Sequence, residues 1–211
     1  MHRLSRVLGA IVGLLWSQAL LAVDDTELLK SRLDGLTSVA GHFGQVTINA
    51  ENRVVQENSG RLWVRSPSSF RIETRTPFMQ VLVSDGTSFW TYEEDLAQVM
   101  IQPLEDDIAQ VPILLLGGRA SAIVDAYEVS RYEDEAGEKF VLAPRAPGAL
   151  FESMTIGFEA DRPTLISIRD SLGQRTRIDV VDATINEPID DERFSLEIPE
   201  GVDVIDDRSS S

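Results

Sequence analysis

Cysteine is absent from all 211 residues. That absence excludes disulfides, thiolate metal sites and a lipid-modified cysteine at a mature N-terminus, so the chain is not expected to be a lipoprotein itself. Histidine is almost absent: of two, His2 lies at the extreme N-terminus and only His42 lies in the body. A nucleophilic triad needs an imidazole between nucleophile and acid. His42, within Gly41-His42-Phe43-Gly44, reads instead as a solvated loop-to-strand junction. One histidine without cysteine does not furnish a zinc site, and neither a metal nor a cofactor is expected. Positive charge is scarce, with 19 Lys and Arg against 35 Asp and Glu and a formal net charge of −16. Such a surface repels nucleic acid and anionic headgroups, so neither a nucleic-acid partner nor stable membrane insertion is expected.

Long apolar runs are limited to Val7–Leu21. Arg3 and Arg6 precede that run, and Ala22 and the acidic Val23-Asp24-Asp25 follow it. This is the pattern of a secretory signal peptide over residues 1–22, too short for the ~20 apolar residues of a bilayer span. Cleavage after Ala22 is the first choice and after Ala19 the second. Either removes Arg3 and Arg6 and leaves the net charge two units more negative than −16.

The remainder, 43% hydrophobic and 26% charged over the whole sequence, has the composition of a globular domain with its own core. One domain over residues 23–211 is expected, with 206–211 a frayed tail. Leu28, Leu29 and Leu33 sit at helical spacing behind Asp25 or Thr26, which predicts a short amphipathic helix ending near Gly35. From Phe43 the period becomes two. Strand runs at 43–48, 60–65, 70–74, 80–83 and 88–92 are separated by turn signals such as Ser66-Pro67-Ser68 and Asp85-Gly86. Glu105-Asp106-Asp107 leading into Ile113-Leu114-Leu115-Leu116 and Gly117-Gly118 predicts one or two short helices, and residues 120–127 a further turn. Strands resume at 128–132, 139–143, 153–159, 165–171 and 175–185, and Phe194–Pro199 is expected to close the sheet. This is an antiparallel meander with one helical interruption.

Carboxylates are plentiful, in Glu93-Glu94-Asp95, Glu105-Asp106-Asp107, Glu133-Asp134-Glu135 and Asp190-Asp191-Glu192. Each run falls at a turn or helix start and none has an EF-hand spacing, so solvated faces are the simpler reading. A secreted carboxylate-dependent hydrolase is a remote alternative. The aromatics Trp63, Phe70, Phe78, Phe89, Trp90, Tyr92, Phe140, Phe151 and Phe158 fall mainly in strand runs. Filled core and ligand cavity both accommodate them.

Three segments carry a resemblance: G-R-L-W-V-R-S-P-S-S-F-R-I (Gly60–Ile72), P-F-M-Q-V-L-V-S-D-G-T-S-F-W-T-Y-E-E-D-L-A-Q-V (Pro77–Val99) and F-S-L-E-I-P-E-G-V-D-V-I (Phe194–Ile205). Together with the leader and K-S-R-L-D (Lys30–Asp34), they resemble the periplasmic outer-membrane lipoprotein carrier family, LolA. The resemblance implies a mainly β fold with a few helices: an unclosed antiparallel β-barrel covered by a short helical lid. It implies a non-enzymatic chaperone in the periplasm of a Gram-negative bacterium. An inner-membrane ATP-driven lipoprotein-releasing complex would load it with triacylated lipoproteins, and an outer-membrane lipoprotein receptor would unload it. A LolA-like paralogue for another lipid or glycolipid is the alternative. The acyl-chain cavity it implies is lined by Leu62, Trp63, Val64, Phe70, Ile72, Val81, Val83, Phe89, Trp90, Tyr92, Met100, Ile156 and Phe158. The lid is Pro112, Ile113, Leu114, Leu115 and Leu116. In the family an arginine commonly precedes the proline of the W-V-x-R-P type motif and holds the lid. Here that position is Ser66 with Arg65 one residue earlier, so the latch is expected at Arg65, re-aimed by a bulge, or at Ser66.

Overall fold

The structure, a computed structural model, describes residues 24–104, 115–116, 124, 126–146, 149 and 151–208. The expected leader at 1–22, Pro112, Ile113, Leu114 and most of the expected mid-chain helices lie outside the described residues. The chain opens with helix α1 (Asp25–Asp34). Asp24 caps it by accepting from the Thr26 N–H at 3.3 Å, acids occupy its first turn, and Arg32 sits in its last. Leu29 and Leu33 are wholly buried.

Among the described residues twelve strands follow: β1 (Ser38–Ile48), β2 (Val54–Arg65), β3 (Ser69–Thr76), β4 (Gln80–Asp85), β5 (Ser88–Glu93), β6 (Gln98–Pro103), β7 (Tyr127–Asp134), β8 (Gly137–Pro144), β9 (Phe151–Glu159), β10 (Arg162–Asp170), β11 (Arg175–Ile185) and β12 (Asp203–Asp206). All belong to one sheet in the order β12-β6-β5-β4-β3-β2-β1-β11-β10-β9-β8-β7. Pairing is antiparallel between successive strands and between β1 and β11, while β12 joins β6 in parallel. The two outermost strands, β12 and β7, do not pair with each other, so the sheet is open.

Several expectations need correction. The first strand starts at Ser38, five residues before Phe43, because the small residues Ser38, Ala40 and Gly41 pair well although they carry no apolar alternation. His42 lies within that strand, exposed, rather than at a junction. Phe194–Pro199 is not a strand. Phe194 ends a 3-10 turn (Asp191–Phe194) that packs on the outside of β3 and β4, and the last strand is Asp203–Asp206. Asp206 therefore belongs to the sheet and not to a frayed tail.

One position fixes the register of the first half. The β2–β3 pairing slips between Ser59 and Gly60, and a Cβ on Gly60 would lie 1.9 Å from the Glu73 carbonyl oxygen. Only glycine permits that close approach of two backbones.

α1 is tied to the sheet at both ends. At its C-terminal end Asn186 accepts from the Thr37 N–H at 2.8 Å and donates to the Gly35 carbonyl at 2.9 Å. At its N-terminal end the Asp25 carboxylate accepts from the backbone N–H of Arg131 on β7 at 3.0 Å. Arg32 pairs with Glu138 and Asp161.

Candidate functional site: the concave face of the sheet

In a strand successive side chains point to opposite faces, so each antiparallel ladder sorts residues into two sets. One row across the first half runs Val39, Val64, Phe70, Ser84, Phe89, Gln102, and the next runs Gly41, Leu62, Ile72, Leu82, Thr91, Met100. In the second half Phe140, Ile156, Ile166 and Ile178 form one row, with Leu142, Met154 and Ile168 beside it. The apolar side chains of these rows, Met100 apart, converge on a single buried cluster that also takes Leu29 and Leu33 of α1. Phe70 and Phe89 lie 5.7 Å apart, and Phe140 meets Phe158 edge-on at 6.0 Å. This is the concave, apolar face.

Of the residues expected to line an acyl cavity, Leu62, Val64, Phe70, Ile72, Phe89, Met100, Ile156 and Phe158 lie on this face. Trp63, Val81, Val83, Trp90 and Tyr92 do not, and the expectation that all thirteen share one wall is corrected. Trp63 is registered with Arg71, Val83, Trp90 and Ile101, and Val81 with Tyr92 and Val99, all on the convex face. An apolar run such as Leu62-Trp63-Val64 fills both sides of its strand, because both sides are covered. Sequence reasoning passed over Leu82 and Leu142, Met154, Ile166, Ile168, Ile178 and Val180. Their signal was present in the alternation of the strand runs they occupy, but the second half carries fewer aromatics to draw attention to it.

The chain that joins β6 to β7 connects strands near opposite edges of the sheet. Leu115 and Leu116 in that connection, and Val124, are 0%, 1% and 0% exposed and belong to the concave cluster. These three described residues cover part of the concave face.

Arg65 does not reach toward that cover. It stands on the convex side, where its Nη1 donates to the Ile189 carbonyl at 3.0 Å and to Asp191 Oδ1 at 2.6 Å, and its guanidinium lies 4.4 Å from the Phe194 ring centre. Arg71 Nη1 donates to the Ser195 carbonyl at 3.0 Å, and Arg193 stacks on Trp63 at 4.6 Å. Phe194 is 2% exposed. No bulge re-aims Arg65, so ordinary alternation leaves it a fastener for the C-terminal segment. Ser66 is half-buried in the turn after β2, and its N–H donates to the Thr37 carbonyl at 3.0 Å.

The outer membrane lipoprotein carrier protein LolA family model matches residues 34–197, most of the chain. The chain belongs to the LolA family. A Chromohalobacter salexigens protein named outer-membrane lipoprotein carrier protein is 39% identical over 179 residues, 85% of each chain. One of the same name from Pseudomonas aeruginosa is 35% identical over 207 residues, covering 96% of this chain and 99% of its own. Among solved structures, an uncharacterized conserved protein from Thermus thermophilus superposes with a TM-score of 0.56 at 16% identity, over 87% of this chain and 99% of that one. That likeness concerns the fold alone. Within the LolA pattern, Ser66 departs from the usual arginine, and the neighbouring Arg65 is engaged on the other side of the sheet.

Proposed function

We infer that this LolA-family chain is a periplasmic carrier that shelters the acyl chains of lipoproteins in transit between membranes. The observation that carries the reading is the open sheet whose apolar concave face is covered by residues of the connection between its edges. Burying one CH₂ is worth ~0.8 kcal/mol, so an acyl chain leaving a bilayer forfeits on the order of ten kcal/mol unless another apolar surface receives it. The concave rows offer that surface. Leu115 and Leu116 occupy it when no cargo is present, and they give way as the acyl chains enter. An ATP-driven complex of the inner membrane supplies the uphill extraction, and a receptor at the outer membrane accepts the load. The acyl-binding set is Leu62, Val64, Phe70, Ile72, Phe89, Met100, Ile156 and Phe158, joined by Leu82 and Met154. Nothing in this task requires a bond to be made or broken, and the chain acts without catalysis.

Native mass spectrometry with lipid extraction, on the mature protein purified from its own periplasm, tests the reading. Bound triacylated lipoprotein is the expected result. A protein that carries only free glycolipid and ignores triacylated lipoprotein would replace it with the paralogue reading.

A further inference from the structure

Along β2–β5 the concave face changes character. Beyond the apolar rows lies a row of Gly60, Thr74, Gln80 and Glu93, followed by Asn58 and Gln56. These polar side chains line a cavity of about 320 Å³ at the end of the sheet. Gln80 Nε2 donates to Glu93 Oε1 at 3.1 Å across its floor. Its rim is apolar: Phe78 is 66% exposed, Leu96 65% and Met79 39%. Two carboxylates, Glu93 and Asp95, face it, and no Lys, Arg or His is among its described lining residues.

Large apolar side chains around a floor of amides and a hydroxyl match a ligand that is apolar at one end and densely hydrogen-bonding at the other. The cavity lies on the same face as the acyl rows, two residues further along each strand, so one ligand can occupy both. Resting on the carrier reading, the geometry points to this cavity as the subsite for the ester-and-amide junction of the cargo, where three acyl chains meet the glyceryl-cysteine and the first peptide units. That junction is uncharged once its amine is acylated. Amide side chains donate to its carbonyls and accept from its peptide N–H groups. A phospholipid brings a phosphate to the same place, and two carboxylates with no cation repel it. The cavity therefore selects a neutral triacylated peptide terminus over a phosphate-bearing lipid of equal chain length.

The test is a competition on the delipidated mature chain, between a tripalmitoyl-S-glyceryl-cysteinyl peptide and dipalmitoyl phosphatidylglycerol, read by native mass spectrometry. The wild type takes the lipopeptide in preference. Asp95→Asn, at an exposed loop position, shifts the ratio about tenfold toward the phospholipid, as one removed like-charge contact worth roughly 1.4 kcal/mol requires. Gln80→Leu weakens lipopeptide binding about tenfold, the effect of one lost buried polar contact, and leaves palmitate uptake unchanged. Equal uptake of both lipids by the wild type, or ratios that neither variant moves, would overturn the subsite and leave the carrier reading intact. A wild type that takes neither lipid would overturn both.

Discussion

The two faces of β2 and β3 are made of alternate residues in the same strands, yet they are covered in different ways. The convex face, with Trp63, Arg65 and Arg71, is overlaid by the segment from Ile189 to Ser195, fastened by hydrogen bonds from two arginines and a buried phenylalanine. The concave face, with Leu62, Val64, Phe70 and Ile72, is overlaid by α1 and by Leu115 and Leu116, whose contribution is burial. Hydrogen bonds and stacked guanidinium groups fix a geometry, whereas apolar burial is indifferent to which apolar partner supplies it. On the proposed carrier reading, the first cover is permanent and the second is the one a hydrocarbon chain replaces.

Three outcomes would break or sharpen that contrast. Phe194→Ala removes the centre of the convex fastening and should cost about 3–5 kcal/mol in urea unfolding. A loss under about 1 kcal/mol, well below the range for a buried Phe, would show that the C-terminal segment is not a fixed cover. Leu115→Ala should cost the empty protein about 2–3 kcal/mol by the same measurement, without weakening uptake of a triacylated lipopeptide. On the carrier reading its side chain competes with cargo, so a parallel loss of uptake would make it part of the permanent structure. Arg65→Met should cost roughly 1 kcal/mol, since the side chain is partly exposed and its charged hydrogen bonds are discounted by solvent. Lipid exchange should keep the wild-type rate, whereas a latch on the exchangeable cover would accelerate it.

The smallest effect concerns β12. Hydrogen bonds from the Arg208 side chain and then from its backbone N–H hold the Asp206 carboxyl down at about 2, against an ordinary value of 3.8. A depressed folded-state value stabilises above the unfolded value and is lost as pH falls. Protection of the β12 amides, the exchange rate relative to the intrinsic rate at each pH, should therefore stay constant above about pH 4 and fall only between about pH 4 and 2. A fall in protection near neutral pH would assign the effect to another group.

Much of this was legible in the sequence. Period-two runs between Gly, Pro, Asn and Ser turns gave the strands, and Asp25 through Gly35 gave the helix, though not its cap at Asp24. Which side of a strand faces inward was not legible, because Leu62-Trp63-Val64 and Val81-Leu82-Val83 are apolar at every position and burial on two sides erases the alternation. Phe194-Ser195-Leu196-Glu197-Ile198 alternates like a strand yet forms none: Phe194 is buried on the convex face, and Ile198 is exposed rather than paired with a neighbouring backbone. Arg65 looked like a displaced latch because its partners, Ile189 and Asp191, lie more than a hundred residues away. The subsite around Gln80 had no sequence signal: its amides come from β2 and β4 and its hydroxyl from β3, and only the register brings them together.

The contact between Asp25 and the Arg131 N–H has one more result. β7 is the last strand of the sheet, and an outward N–H on such a strand invites another chain to add to it. The Asp25 carboxylate occupies that donor, so the helix that shelters the interior also deters self-association. Dislodging α1 would expose an adhesive strand and an apolar interior in the same step. Aggregation of the empty carrier should thus be governed by the attachment of ten residues at its N-terminal end.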